Sequence, residues 1–228
     1  MNIAVDGPAG AGKSTIAKRI ARELGIIYVD TGAMYRAMGL FFQKKGILPE
    51  DEASISREVK GVCITIHYED GQQKVFLNGE DVTAHLRTEE AGRLASLFSV
   101  YPAVRKKLVE LQRELAARQD VIMDGRDIGT VVLPDAQLKI YLTASSHVRA
   151  LRRYQELKEK GEDCDLDAVE KKIIDRDDQD MHRKESPLKQ AEDAVVVDTS
   201  DMDIDEVVRT VVCLYRDKTG KDSAGEKA

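Results

Sequence analysis

Long apolar runs are missing from this 228-residue sequence. The longest, such as Ala194 to Val197 and Val211 to Leu214, fall far short of the roughly 20 residues a bilayer-crossing helix needs, so no membrane span is expected. Cysteine is scarce as well. Cys63, Cys164 and Cys213 are odd in number, far apart, and without C-x-x-C spacing or nearby histidines, which points to reduced structural thiols and away from a disulfide framework or a zinc site. His67, His85, His147 and His182 show no metal-ligand spacing either and read as structural or surface residues. Positive charge is not in excess: 35 Lys and Arg against 41 Asp and Glu give a net charge of -6. That balance excludes a protein that coats nucleic acid through a basic surface field, so no nucleic-acid partner is expected. Finally, Met1 is followed at once by the strand-like Asn2-Ile3-Ala4-Val5, with no basic and apolar leader. A cytoplasmic protein is expected.

What is present is enough for a proper core, since 42% of the residues are hydrophobic. Asn2 to Asp6 reads as a short apolar strand, Gly7 to Gly12 as a glycine-rich turn, and Lys13 to Leu24 as a helix with Ile16, Ile20 and Leu24 on its apolar face and Gly25 at its end. A second strand, Ile26 to Val29, runs into Asp30-Thr31-Gly32. Thr31 is the expected N-cap of a helix over Ala33 to Lys45, closed by Lys44-Lys45-Gly46. Residues Val62 to Val82 alternate in polarity around the turns Asp70-Gly71 and Asn78-Gly79, which predicts a small antiparallel meander. Pro102 opens a helix through Val104, Leu108, Leu111 and Leu115. Strands Val121 to Met123 and Leu138 to Leu142 follow, then a helix capped at Ser145-Ser146 and ended by Gly161, and a charged helix from about Leu166 to Arg183. The strand Ala194 to Val197, a helix from Ile204 to Tyr215 and a polar tail complete the chain. No internal repeat is visible. Five strands separated by helices predict an α/β fold, a five-stranded parallel sheet sandwiched by helices and joined by right-handed crossovers, with a small antiparallel β insertion.

Gly7-Pro8-Ala9-Gly10-Ala11-Gly12-Lys13-Ser14 fits G-x-x-x-x-G-K-[ST] between the first strand and the first helix, the context in which that pattern cradles phosphate. The bare pattern would arise by chance in about one chain of this length in a hundred. A plain glycine turn does not explain Lys13 and Ser14. Gly7 to Thr15 is therefore the expected ATP site, with Lys13 on the β- and γ-phosphates and Ser14 as a ligand of Mg²⁺.

The cradle leaves the acceptor open. An Asn-Lys-x-Asp guanine motif is absent, because the only asparagines are Asn2 and Asn78. A motor ATPase would need larger partner domains than this chain has room for. A small-molecule kinase needs a second anion site, and Arg36, Arg126, Arg176 and Arg183 are the candidates. Thr31, Tyr35 and Arg36 fall at one helix start, and Arg176, Asp180 and Arg183 share a helical spacing of i, i+4 and i+7. The plain alternative for that set, and for the arginines from Arg149 to Arg153, is a solvated helix face.

The blocks Gly7 to Thr15, Asp30 to Arg36, Ala95-Ser96 with Tyr101-Pro102 and Arg105, Asp124-Gly125-Arg126-Asp127-Ile128-Gly129-Thr130-Val131-Val132, and Arg176-Asp177-Asp178 to Arg183 together resemble the bacterial cytidylate kinases, the CMP/dCMP kinases of the nucleoside monophosphate kinase group. The resemblance covers nearly the whole chain. It implies a single P-loop NTPase domain with a core (about 1–30, 92–150 and 191–218), a monophosphate-binding insertion (about 31–91), a helical lid (about 151–190) and a tail (219–228). It implies transfer of the γ-phosphoryl group of ATP to CMP or dCMP. Ser96, Arg105 and Asp127 would read the cytosine edge, Arg36, Arg126 and Arg183 would hold the acceptor phosphate, and Arg176 and Asp180 would meet the ribose, with Thr31 and Tyr35 also at the monophosphate site. Lys13, Arg126 and Arg183 would stabilise the moving phosphoryl group, and Asp124 would hold the metal through water or else cap its turn. Thr31 stands where serine is common, Ser14 where glycine is frequent, and Gln179 and Met181 where arginine is frequent. Kinases for UMP, AMP or shikimate and a nucleotide-dependent binding module are the competing readings. A monomer is expected.

Overall fold

The structure is a computed structural model that describes residues 1–69 and 71–220. Asp70 of the expected Asp70-Gly71 turn and residues 221–228 of the expected tail lie outside the described residues. The chain divides into two units, one made of Met1–Tyr28 with Gln119–Ala228 and the other of Val29–Arg118.

The first unit is built on β1 (Asn2–Asp6), α1 (Lys13–Leu24), the start of β2 (Ile27–Asp30), β6 (Val121–Gly125), β7 (Leu138–Thr143), α6 (Ser146–Glu159), α7 (Leu166–His182), β8 (Val195–Asp198) and α8 (Ile204–Thr219). The sheet has five strands in the order β2-β6-β1-β7-β8. β1 pairs in parallel with β6 and β7, and β7 with β8. The apolar strand centres Ile3, Val5, Ile122, Leu138, Ile140 and Leu142 meet Ile16, Ala17 and Ile20 of α1 and Val207, Val208, Val211, Val212 and Tyr215 of α8 in one core. Full burial of one such side chain contributes about 2–3 kcal/mol, which makes this cluster the anchor of the unit. A second small core holds α6 to α7 through Ala150, Leu157, Val169 and Ile173.

The second unit contains α2 (Thr31–Lys44), α3 (Glu52–Glu58), an antiparallel sheet of β3 (Ile64–Glu69), β4 (Gln72–Leu77) and β5 (Glu80–Asp81), then α4 (Glu89–Phe98) and α5 (Pro102–Arg118). α2 and α4 approach closely at Gly39, where a Cβ would lie 2.7 Å from that of Leu94. Phe42 and Phe98 fill the space alongside, with ring centroids 4.6 Å apart. The meander is tied to the head of α2, because Gln73 Oε1 accepts the Asp30 N–H at 2.8 Å.

Several local expectations change. Asp30, not Thr31, is the N-cap of α2: its carboxylate accepts the Ala33 N–H at 2.8 Å, and Thr31 is already helical. Helix α7 stops at His182, so Arg183 follows it in extended conformation, outside the helical spacing it was expected to share. The final helix runs on through Thr219 and is capped by Gly220, so the tail starts later than residue 219. α3, α4 and a π-helical turn at Ile128–Val132 were not anticipated.

Candidate active site

Gly7 joins β1 to the phosphate loop at a place where only glycine fits: a Cβ there would lie 1.9 Å from the carbonyl oxygen of Leu142 in β7. The loop ends on Gly12, the N-cap of α1, whose left-handed φ of 85° turns the first peptides of the helix back toward the loop. Lys13 is 5% exposed, and its Nζ donates to the Pro8 carbonyl at 2.7 Å, folding the lysine over the loop it belongs to. An ammonium inside a ring of backbone groups at a helix N-terminus is suited to polyphosphate and to little else.

Ser14 Oγ donates to Asp124 Oδ2 at 2.8 Å, and the other oxygen of Asp124 accepts from the Tyr28 hydroxyl at 2.8 Å. Asp124, the fourth residue of β6, is thus buried beside the loop and held from two sides. Among the described residues no group of three or more His, Cys, Asp or Glu could hold a metal ion by itself.

Past Gly125 the chain presents a buried charge cluster. Arg126 Nε donates to Asp180 Oδ2 at 2.7 Å. Arg183 reaches the same carboxylate at 3.6 Å and Asp127 at 3.9 Å, while its Nε donates to the Ser186 carbonyl at 2.7 Å. Although burial favours the neutral acid, Arg126 and the neighbouring Arg176 and Arg183 hold the Asp180 carboxyl below the usual range. Arg126 is also close enough to Lys13 to repel its charge. Within this unit the structure therefore brings together Lys13, Arg126, Asp127, Asp180 and Arg183, while Arg176 stays on the exposed side of α7.

The arginines of α6 are not a solvated face. Arg149 is 5% exposed; its Nε donates to the Ala144 carbonyl and one terminal nitrogen donates to the Ala9 carbonyl, both at 2.9 Å, with Asp177 of α7 at 2.6 Å. Asp177 in turn accepts the Ala9 N–H at 3.3 Å. Charge composition could not separate Arg149 from the other arginines of α6, because its burial comes from α7 and the phosphate loop packing against it. Arg152 donates to the hydroxyl and the carbonyl of Thr199. It borders a cleft of about 800 Å³ that extends from Lys13 and Ser14 past Thr199 and Met202 to Val207. The sequence reading missed this cleft wall, whose one visible signal was the loop between β8 and α8.

In the second unit Thr31 is buried at the start of α2. Arg36 is paired with Asp30 at 2.9 Å. Arg105, buried in α5, places its guanidinium 5.5 Å from the centroid of the Tyr35 ring and donates to the Ser99 carbonyl at 3.3 Å. Ser96 lies on α4, one turn before that carbonyl.

The cytidylate kinase family model matches residues 3–217. A cytidylate kinase of Caldicellulosiruptor bescii is 51% identical over 94% of this chain and 95% of its own, and one of Lactobacillus johnsonii is 50% identical over 96% and 95%. Among solved structures, a shikimate kinase from Bacteroides thetaiotaomicron superposes with a TM-score of 0.50 at 14% identity, covering 95% of this chain and 98% of its own, which shows a shared fold. With the glycine turn, the buried lysine and the Asp-Gly-Arg-Asp block all in place, the chain belongs to the cytidylate kinase family.

Proposed function

We propose that the protein transfers the γ-phosphoryl group of ATP to CMP or dCMP, giving ADP and CDP or dCDP. The observation that carries this reading is the pairing of the partly buried Arg126 and Arg183 with the buried Asp180, beside the buried Lys13 of the glycine turn, in a chain half identical to cytidylate kinases. An oxygen of the CMP phosphate, ionised at neutral pH, attacks the γ-phosphorus as the bond to the β-phosphate oxygen breaks. No general base is needed, so catalysis consists of positioning and charge compensation.

In this reading Gly7, Pro8, Ala9, Gly10, Ala11, Gly12, Lys13, Ser14 and Thr15 hold ATP. Lys13, Arg126 and Arg183 offset charge on the group in transit. Thr31, Tyr35 and Arg36 serve the acceptor phosphate, Arg176 and Asp180 its ribose, and Ser96, Arg105 and Asp127 its base. The hard oxygens of Ser14 and Asp124 would hold Mg²⁺, which would supply positive charge to offset that of the ATP phosphates. Free thiols at Cys63, Cys164 and Cys213 and a net charge of -6 support a reducing, cytoplasmic setting without nucleic acid, and we take the working unit to be a monomer. Lid closure over residues 151–190 would keep water from the γ-phosphoryl group.

Turnover with Mg·ATP across CMP, dCMP, UMP, AMP, GMP and shikimate tests the proposal: CMP or dCMP should be preferred, and a better rate with any other acceptor, or none at all, contradicts it. Asp127→Ala should lower the preference for CMP over UMP by about 100-fold, because a carboxylate accepts from the cytosine amino group and meets only a carbonyl on uracil. An unchanged ratio of kcat/KM values removes Asp127 from base reading.

A further inference from the structure

Asp6 is the last residue of β1, immediately before the phosphate loop, and it is 5% exposed. Both of its oxygens are engaged far along the chain: Oδ1 accepts the Ile128 N–H at 2.8 Å and Oδ2 accepts the Gly129 N–H at 2.7 Å. Those two peptides open the π-helical turn Ile128–Val132, directly after Arg126 and Asp127. The pairing of β1 with β6 ends at Asp6 and Gly125, so the carboxylate extends the tie between the two strands beyond the last rung of the sheet. The turn closes on itself through the Asp127 carbonyl, which accepts from Val131 at 2.9 Å and Val132 at 3.1 Å. Its docking against β1 depends on a bare Gly129, where a Cβ would stand 3.3 Å from Asp6 Oδ2 and 3.1 Å from Lys139 Cδ. Keeping a carboxylate in this place is costly. Burial pushes its pKa up to about 6 against the pull of the two N–H groups, and Asp127 pushes it the same way.

We infer that Asp6 is a positioning residue for phosphoryl transfer: by holding the turn that directly follows them, it fixes Arg126 and Asp127 relative to the strand that launches the phosphate loop and Lys13. The inference rests on reading Arg126 and Asp127 as acceptor residues. Asp6 touches neither nucleotide: it acts through the backbone of residues 128 and 129, and its charge also acts on Lys13. A displacement of about 1 Å in groups that must align two phosphates costs on the order of 100-fold in rate.

The test is Asp6→Asn in the full chain, which keeps one acceptor oxygen and turns an amide N–H₂ toward the other peptide N–H. Steady-state kinetics with Mg·ATP and CMP or UMP, calorimetric binding of ADP and thermal unfolding are compared with the wild type. The expected result is a fall in kcat/KM for CMP of about 100-fold and a weaker preference for CMP over UMP, with ADP affinity within about twofold of wild type. Unchanged kcat/KM and preference, whatever happens to Tm, overturn the inference; so does a loss of ADP affinity in proportion to activity, which would mean general damage to the fold. If the asparagine variant does not fold, Gly129→Ala, which pushes against the same carboxylate, is judged by the same measurements and criteria. A wild type that fails to phosphorylate CMP defeats the functional reading itself, before any variant is compared.

Discussion

Lys13→Ala lowers phosphorylation of CMP by about 1000-fold, the upper end of what one charge-stabilising donor contributes in a site shielded from water. The lysine is the one cation built into the glycine turn itself, and no other side chain of the turn can supply its charge. Its burial has a second, independent consequence. Loss of water around the ammonium, together with repulsion from Arg126, brings its pKa down to about 7 from 10.5, although Asp124, Asp6 and Asp180 pull the other way. Between those two pH values the unfolded chain keeps a proton that the folded chain has released, so this group makes stability rise with pH. Lys13→Met removes that component. Thermal unfolding without nucleotide should therefore show the wild type gaining on Lys13→Met as pH climbs from about 7 to 10.5. A constant difference over the range, or near-normal turnover in Lys13→Ala, contradicts the assignment.

Arg183→Ala should reduce kcat by about 100- to 1000-fold while leaving a folded protein. An exposed ion pair would be worth little, and its removal would barely register. Arg183 is in a different position: its side chain is 6% exposed, and its guanidinium lies between Asp127 and Asp180. Asp180 keeps its 2.7 Å bond to Arg126 in the variant, so that carboxylate is not stranded. Arg183→Lys should recover only part of the rate, since a point charge does not reproduce the planar fork that meets two oxygens at once. Kinetics of both variants, with circular dichroism to confirm folding, decide the matter; full activity in Arg183→Ala would make it a structural residue.

The parallel sheet was legible because each of its strands is a short apolar run next to a helical pattern, and the limits of α1 were set by Gly12 and Gly25. The phosphate loop was legible for the same reason: its function depends on backbone, and glycine spacing records backbone. Contacts between distant segments left weaker traces. The π-helical turn at Ile128–Val132 exists because Asp6, more than 120 positions earlier, holds its first two amides, and nothing within the segment announces it. Asp30 and Thr31 are both good caps, and the choice fell to Asp30, whose two oxygens serve Ala33 and Arg36 together. α4 could have been found from Thr88 followed by Glu89 and Glu90, a cap with acids in the first turn. Arg183 was placed on a helix face because spacing alone does not show where a helix stops.

The bonds that Arg149 donates to the Ala9 carbonyl and that Asp177 accepts from the Ala9 N–H make the α6–α7 hairpin and the start of the glycine turn one mechanical part. Exchanging that hairpin with one from another kinase would leave the Ala9 carbonyl and N–H without their partners unless the incoming segment brought its own arginine and aspartate in register with residue 9. Hairpin and turn must consequently be inherited, or engineered, as a matched set.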